Sequence, residues 1–186
     1  MRIYLDMDGV VANLHLSICR HLKLDHDTVA KNWPRGVHKM ADALQMDDKE
    51  LWDGIKALGA GFWADVPEFP WSRFLYDECS AIATTRFLTS PINGACCDGK
   101  WQWITRFVDN PDYRDYIISS MKSDCARWDR ILIDDTEANC EAFENEGGKA
   151  ILFPRVWNRL HTISANPMEH VIPELRRLSA IIKGIK

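Results

Sequence analysis

The chain has 186 residues, of which 46% are hydrophobic and 27% are charged, and this composition excludes a disordered or fibrous protein. Its formal net charge is −4 and its pI is near 5.9, so no general positive field attracts nucleic acid. The length fits one domain, or one core with a modest insertion, and suffices to bury an apolar core.

The cysteine pattern predicts free thiols. None of the six cysteines forms a C-x-x-C pair, and the six histidines lack the spacing of a metal site, which argues against structural zinc. No apolar run approaches the ~20 residues of a membrane span, and Asp6 and Asp8 interrupt any apolar start of a signal peptide. We therefore expect a soluble, cytoplasmic protein with reduced cysteines.

Five short apolar segments predict β-strands. Each is nearly continuously apolar and rich in Ile, Leu or Phe, as is typical of parallel strands that are covered on both faces. The segments span residues 2–6, 85–90, 115–120, 130–135 and 149–153.

Helical segments at 99–108, 137–148 and 167–183 separate or follow these strands. The second closes on Gly147 and Gly148, and the third starts or kinks at Pro173. The alternation predicts an α/β fold with a Rossmann-like, doubly wound parallel sheet.

Residues 14–80, between the first two strands, contain no convincing strand. The segments 13–24, 38–46 and 48–58 carry apolar residues at helical spacing. We predict a mostly helical cap inserted after the first strand, part of which returns to the core before the second strand. The core then comprises residues 1–13 and 81–186.

Polar residues follow the predicted strands where ligands bind in open α/β sheets, beyond the carboxyl ends. Four carboxylates at that edge cannot all ionise without a cation, and hard oxygen ligands at low count favour Mg²⁺. Any one acidic pair could merely cap a helix, but the recurrence at several strand ends favours a site. The residues are Asp6, Asp8, Thr89, Ser90, Ser119, Ser120, Lys122, Asp134 and Asp135.

Three of these segments resemble motifs of the haloacid-dehalogenase-like (HAD) hydrolase superfamily. "DMDGVVAN" (6–13) is similar to its first motif, "FLTSP" (87–91) to its second and "ILIDD" (131–135) to its fourth. Together with "GFWADVPEFP" (61–70) and "GKWQWI" (99–104), they resemble the 5'(3')-deoxyribonucleotidases within that superfamily. The resemblance implies a capped HAD core and a Mg²⁺-dependent phosphomonoester hydrolase.

The resemblance also implies roles for the two aspartates of the first motif. Asp6 would attack phosphorus and form an acyl phosphate, which divides hydrolysis into two easier steps. Asp8 would protonate the leaving oxygen and then deprotonate the attacking water. Dehalogenases of the superfamily lack this second aspartate because a halide needs no proton, so Asp8 favours phosphate chemistry. Gly9 lets the chain turn sharply above the site.

The implied metal ligands are the Asp6 carboxylate, the Asp8 backbone carbonyl and Asp134, with Asp135 binding directly or through a water molecule. Which member of the 134–135 pair binds directly stays open.

For the phosphate group, the Thr89 hydroxyl and the Ser90 backbone N–H are the expected donors. Lys100 and Lys122 both match family lysines that would neutralise the transferred group. The sequence leaves the choice open and slightly favours Lys100; either residue could instead be a surface lysine.

Aromatic residues of the insertion suggest what the cap selects. By resemblance, Trp33, Trp52, Phe62 and Trp63 match positions that line the nucleoside pocket, although such rings could equally form the core of the cap. Leu14 stands where the family often has an aromatic residue, which removes one stacking partner for a base.

We therefore expect a small-molecule substrate, namely a deoxyribonucleoside monophosphate. A sugar phosphate, another metabolite or a nucleic-acid end phosphate is the alternative. A non-catalytic binding protein is disfavoured by the intact Asp6 and Asp8. Neither nucleic acid nor membrane is an expected partner, and the sequence leaves the oligomeric state open, a homodimer included.

Overall fold

The computed structural model describes residues 1–184 and places a five-stranded sheet at the centre of the molecule. Every strand pairing is parallel, and the order is β3-β2-β1-β4-β5. The doubly wound α/β fold predicted from the sequence is confirmed, and all five predicted strands are present. They are β1 (Arg2–Leu5), β2 (Thr84–Thr89), β3 (Tyr116–Ile118), β4 (Arg130–Asp134) and β5 (Lys149–Leu152).

Nine helices accompany this sheet within residues 1–184. They are α1 (Leu14–His21), α2 (His26–Lys31), α3 (Met40–Leu44), α4 (Asp48–Ala57), α5 (Gly59–Ala64), α6 (Ser72–Ile82), α7 (Gly94–Phe107), α8 (Glu137–Asn145) and α9 (Pro167–Lys183). Short 3₁₀ turns occur at Lys122–Cys125 and His161–Ile163.

The helix ends differ from the sequence prediction by a few residues. Helix α7 begins at Gly94 rather than at residue 99, because the side chain of Asn93 accepts a 2.8 Å hydrogen bond from the Cys96 N–H. Helix α8 ends at Asn145, and Gly147 adopts a φ of +84° just beyond it. Helix α9 begins at Pro167 and therefore does not start at Pro173, which lies inside the helix.

Side chains alternate between the two faces of the sheet. Ile3 and Leu5 of β1 belong to the larger apolar core, whereas Tyr4 points to the other face and joins a smaller cluster that includes Phe143 of α8. Both faces are therefore covered, which is why the strands read as continuous apolar runs in the sequence.

The segment between β1 and β2 is helical, as the spacing of its apolar residues indicates. Helix α5 packs closely on α7. Gly99 permits this close approach, since a Cβ at its position would overlap the carbonyl oxygen of Ala60. Helix α6 contacts β2 and α9, so this last part of the segment lies on the sheet. The boundaries at residues 13 and 81 stay a prediction.

All six cysteines are free, as their spacing predicted. Within residues 1–184, none of the helices combines the length and the apolar character needed to cross a membrane.

Candidate active site

Three buried carboxylates meet where β1 and β4 end. The two strands are neighbours, with Leu5 opposite Ile133, so the residue after Leu5 lies beside the end of β4. Carboxylate oxygens of Asp6, Asp134 and Asp135 lie within 4.8 Å of one another. This is the point at which the strand order reverses, where open α/β sheets bind ligands.

Lys122 lies between two of these carboxylates. Its Nζ is 2.7 Å from Asp6 Oδ1 and donates a 2.6 Å hydrogen bond to Asp134 Oδ2. Burial opposes the charge of Lys122, but Asp134 and Asp6 outweigh it and raise the pKa of the ammonium group above its ordinary value. Lys122 is therefore a charged, buried partner of the cluster and not a surface lysine.

Asp134 is fully buried and held by several donors besides Lys122. The Thr136 N–H donates to its Oδ1 at 2.9 Å, and Asn139 Nδ2 lies 3.2 and 3.1 Å from its two oxygens. Because Asn139 lies in the first turn of α8, the start of this helix fixes the orientation of the carboxylate.

Negative charge on Asp6 and Asp135 is compensated by the protein only in part. Burial raises the pKa of Asp6 to about 6 although Lys122 opposes the shift. Burial, with the neighbouring charges of Asp134 and Asp6, raises the pKa of Asp135 to about 8, despite a 2.7 Å hydrogen bond from Trp157 Nε1 to its Oδ2. The cluster therefore has three carboxylates and one lysine. Carboxylate oxygens are the ligand atoms that a hard divalent cation such as Mg²⁺ prefers.

A second lysine holds the neighbouring Asp8. Lys100 Nζ, on α7, lies 2.7 Å from Asp8 Oδ2 and donates to Thr89 Oγ1 at 2.7 Å and to the Ser90 carbonyl oxygen at 2.6 Å. The two lysines thus take different places, with Lys122 beside Asp6 and Lys100 beside Asp8. Both are almost completely buried.

Gly9 is required by the tight turn that follows Asp8. Its φ is +76°, and a Cβ at this position would overlap the carboxylate of Asp135. The turn is closed by the Met7 carbonyl oxygen, which accepts hydrogen bonds from the Val11 and Ala12 N–H groups at 2.9 and 2.8 Å. Any side chain here would therefore displace one of the three clustered carboxylates.

A cavity of about 420 Å³ opens onto these groups. Its base is polar and its walls are mostly apolar, with contributions from the inserted helices and from the segment after β5. The lining residues include Asp6, Asp8, Ser90, Lys100, Lys122 and Asp135 at the base, and Leu14, His15, Ile18, Met40, Trp52 and Trp157 in the walls. His38, Lys39 and Asp48 add polar groups.

Of the four aromatic residues expected around a nucleobase, Trp52 lines this cavity. Trp33 does not; its Nε1 donates to the Val37 carbonyl oxygen at 2.6 Å, and its ring faces a neighbouring cavity. Trp63 is buried against α7, and Phe62 packs edge-on against Trp63 with ring centroids 5.4 Å apart. The helical spacing of apolar residues does not distinguish such packed rings from rings in a pocket wall.

Thr89 is fully buried behind the surface of this cavity, and its hydroxyl group contacts the site only through the hydrogen bond that it accepts from Lys100.

Sequence reasoning assigned no role to Trp157, His15 or Asn139. Trp157 lies in the segment 156–160, which resembles a late loop of the family near the site, and this was its only signal. The His15 ring stacks on Trp157 with centroids 4.0 Å apart. Burial, reinforced by the charges of Arg155 and His26, lowers the pKa of His15 to about 3, so the ring is neutral at physiological pH.

No protein-family model matches the sequence, and no curated protein matches it significantly. Solved structures do share its fold. A hydrolase from Streptococcus pneumoniae is 13% identical, with a TM-score of 0.55 over 87% of this chain and 97% of that one. A HAD family hydrolase from Deinococcus radiodurans is 12% identical, with a TM-score of 0.54 over 98% and 96% of the two chains. At this identity the likeness is one of fold, and the fold is that of HAD family hydrolases.

Proposed function

We propose that this protein is a Mg²⁺-dependent phosphomonoester hydrolase that forms an aspartyl-phosphate on Asp6. The observation that carries the proposal is the pairing of Asp6 with Lys122 and of Asp8 with Lys100 at the base of one cavity. Such a pair of carboxylates supplies a nucleophile and a proton donor side by side, each oriented by a cation.

Asp6 is the nucleophile of this proposal. A pKa of about 6 leaves most of its carboxyl group ionised at neutral pH, and Lys122 fixes one oxygen. The other oxygen would attack phosphorus as the bond from phosphorus to the leaving oxygen breaks. The ammonium group of Lys122 would also stabilise the charge on the transferred phosphoryl group.

Asp8 is the general acid and general base of this proposal. Its side chain is about one quarter exposed and faces the cavity, and Lys100 fixes its Oδ2. Asp8 would protonate the leaving oxygen in the first step and take a proton from the attacking water in the second. Lys100 also holds Thr89 and Ser90, so the residues expected to bind the phosphoryl oxygens are positioned through the same ammonium group.

Asp6, Asp134 and Asp135 would hold the Mg²⁺, and the Asp8 backbone carbonyl would complete the protein ligands. When bound, the cation neutralises negative charge on the phosphate and on the carboxylate cluster. The residues fit this role because their carboxylate oxygens converge within 4.8 Å and their charge exceeds that of Lys122. In support, the Deinococcus radiodurans hydrolase of this fold carries bound phosphate and sodium.

For the substrate, we propose a deoxyribonucleoside monophosphate. The motifs that resemble deoxyribonucleotidases support this choice, as does a cavity of about 420 Å³ with Leu14, Met40 and Trp52 on its walls. Another small phosphate monoester, such as a sugar phosphate, is the second candidate. It is favoured by the placement of Trp33, Phe62 and Trp63 away from the cavity, which leaves fewer rings to stack on a base.

Phosphate release from a panel of deoxyribonucleotides, ribonucleotides, sugar phosphates and p-nitrophenyl phosphate tests the proposal. We expect Mg²⁺-dependent turnover that EDTA abolishes, and a loss of at least ~10³-fold in Asp6→Asn. Asp77→Asn, at an exposed position on α6, is the matched control and should keep full activity. Full activity in Asp6→Asn would refute the mechanism, whereas turnover of sugar phosphates alone would change only the substrate.

A further inference from the structure

A second cavity, of about 340 Å³, adjoins the first one. His15 and Trp157 line both cavities, so their stacked rings form the wall between them. On the far side of this wall the lining is rich in aromatic rings, namely Trp33, Phe69 and Trp71. The volume is that of a site for a small organic molecule.

The guanidinium group of Arg155 lies in this cavity without a partner. Arg155 is only 8% exposed, and within residues 1–184 its side chain takes part in no hydrogen bond and no ion pair. Its Nε is buried and unpaired, and its hydrogen bonds are those of its backbone: the N–H donates to Asn158 Oδ1, and the carbonyl oxygen accepts from the Asn158 N–H. The buried Nε–H donor therefore lacks an acceptor from the described chain.

Aromatic rings hold the guanidinium group but do not neutralise it. Its Cζ lies 4.2 Å from the ring centroid of Phe69, 4.6 Å from that of Trp157 and 5.6 Å from that of Trp71. Burial lowers the pKa of Arg155 to about 10, partly offset by the charge of Asp135, so the group still carries its charge at neutral pH. A buried charge without an ion-pair partner is costly, which favours an anion as its natural complement.

The charged groups that line the two cavities differ. The first cavity is lined by acidic and basic groups together, four aspartates and three lysines. The second is lined by Arg155, by the neutral ring of His15 and by His26, and none of its described lining residues is acidic. The charge of Arg155 therefore meets no opposite charge within the lining of the second cavity, which suits this cavity to an anion.

We propose that the second cavity binds a small organic anion, a carboxylate or a phosphate with an aromatic or apolar body. The guanidinium of Arg155 donates hydrogen bonds to the anionic group, as arginine does to planar and tetrahedral oxyanions elsewhere. Trp33, Phe69 and Trp71 pack against the apolar body. This site is distinct from the carboxylate cluster and does not depend on the proposed hydrolase activity.

Calorimetric titration of the intact protein with benzoate and, separately, with phenylphosphonate tests the proposal and tells a carboxylate ligand from a phosphate-like one. The titrations are done in EDTA, so that no divalent cation at the carboxylate cluster can bind the probe there. We expect saturable binding of at least one probe, weakened about tenfold or more in Arg155→Met and unchanged in Arg159→Met, the exposed control four residues later. The same affinity in Arg155→Met, or no saturable binding of either probe, would overturn the proposal.

Two further measurements keep the test independent of folding effects. Arg155→Met should melt at the wild-type temperature or above it, because it removes a buried, unpaired charge without shortening the side chain much. In the wild-type protein, the Nε–H proton resonance of Arg155 should shift during the titration along the same saturation curve. A resonance that does not move while the probe binds would place the ligand elsewhere and overturn the proposal.

Discussion

Lys122→Met removes the ammonium group that lies 2.7 Å from Asp6 and 2.6 Å from Asp134 while keeping an unbranched side chain of similar length. All three side chains are almost completely buried, with relative exposures of 2%, 9% and 0% in the order Lys122, Asp6, Asp134. The substitution therefore leaves two carboxylates, and Asp135 beside them, without a compensating charge in a medium that solvates ions poorly.

The expected loss in the free energy of unfolding is about 3–5 kcal/mol, the usual cost of removing one partner from a buried ion pair. For a chain of this length, that loss corresponds to a fall of roughly 6–20 °C in melting temperature. Protonation of the carboxyl groups limits the loss at low pH, so the difference between variant and wild type should grow as the pH rises.

Thermal unfolding followed by circular dichroism, in EDTA and again in Mg²⁺, measures the effect. Lys49→Met is the matched control, since Lys49 pairs with Asp53 at 2.5 Å on the exposed surface of α4 and should matter little. Mg²⁺ should raise the melting temperature of Lys122→Met more than that of the wild type, because the cation replaces the missing positive charge.

Equal melting temperatures for Lys122→Met and Lys49→Met would refute the view that Lys122 compensates a buried carboxylate cluster. A Mg²⁺ effect no larger in Lys122→Met than in the wild type would count against metal binding at these carboxylates.

Three further predictions concern the same cavity. Burial is the main cause that raises the pKa of Asp135 to about 8, so Mg²⁺ must displace a proton from this carboxyl group below that pH. The affinity for Mg²⁺, measured by calorimetry, should therefore rise from about pH 6 to about pH 8. An affinity that does not change with pH would contradict the prediction. Gly36→Ala, at a φ of +75°, should cost about 1–2 kcal/mol of stability from backbone strain alone. Gly9→Ala, at +76°, should cost more and should also weaken Mg²⁺ binding, since its Cβ meets the Asp135 carboxylate. Trp52→Ala should reduce nucleotide turnover roughly 10- to 100-fold and p-nitrophenyl phosphate turnover much less. Trp101→Ala, at an exposed position, is the control. Equal losses on both substrates would exclude stacking of Trp52 on a base.

The sheet could be predicted because its strands are buried on both faces and end in polar residues. The segment predicted at 130–135 corresponds to β4, Arg130–Asp134, with Asp135 following it directly. Helix ends were predicted less well, because they depend on single capping residues. Asn93 is one such case, since a lone Asn before a Gly reads equally well as a loop.

The carboxylates of the candidate site could be located from the sequence because strand ends at one sheet edge must meet. Their partners depend on tertiary contacts, and the sequence carried little information about them. It left Lys100 and Lys122 as competing candidates, whereas the structure gives each a carboxylate of its own.

The walls of the cavity were the hardest part to predict. Trp52 and Trp63 lie on neighbouring short helices and have similar apolar surroundings in the sequence, yet one lines the cavity and the other is buried against α7. Trp157 comes from a segment far along the chain, and its contact with Asp135 arises only when the segment after β5 folds over β4. Helical periodicity shows that a residue faces inward but not whether it meets a cavity or a packed side chain.

The covalent step on Asp6 is the central claim, and trapping the phosphoryl group tests it most directly. The enzyme is mixed with Mg²⁺ and a substrate found to turn over, quenched in acid within a single turnover, and digested for peptide mass spectrometry. The proposal predicts a phosphorylated peptide containing Asp6, sensitive to hydroxylamine as an acyl phosphate is, in the wild-type protein and absent from Asp6→Asn. Turnover without any phosphorylated peptide, or the same label in Asp6→Asn, would contradict it.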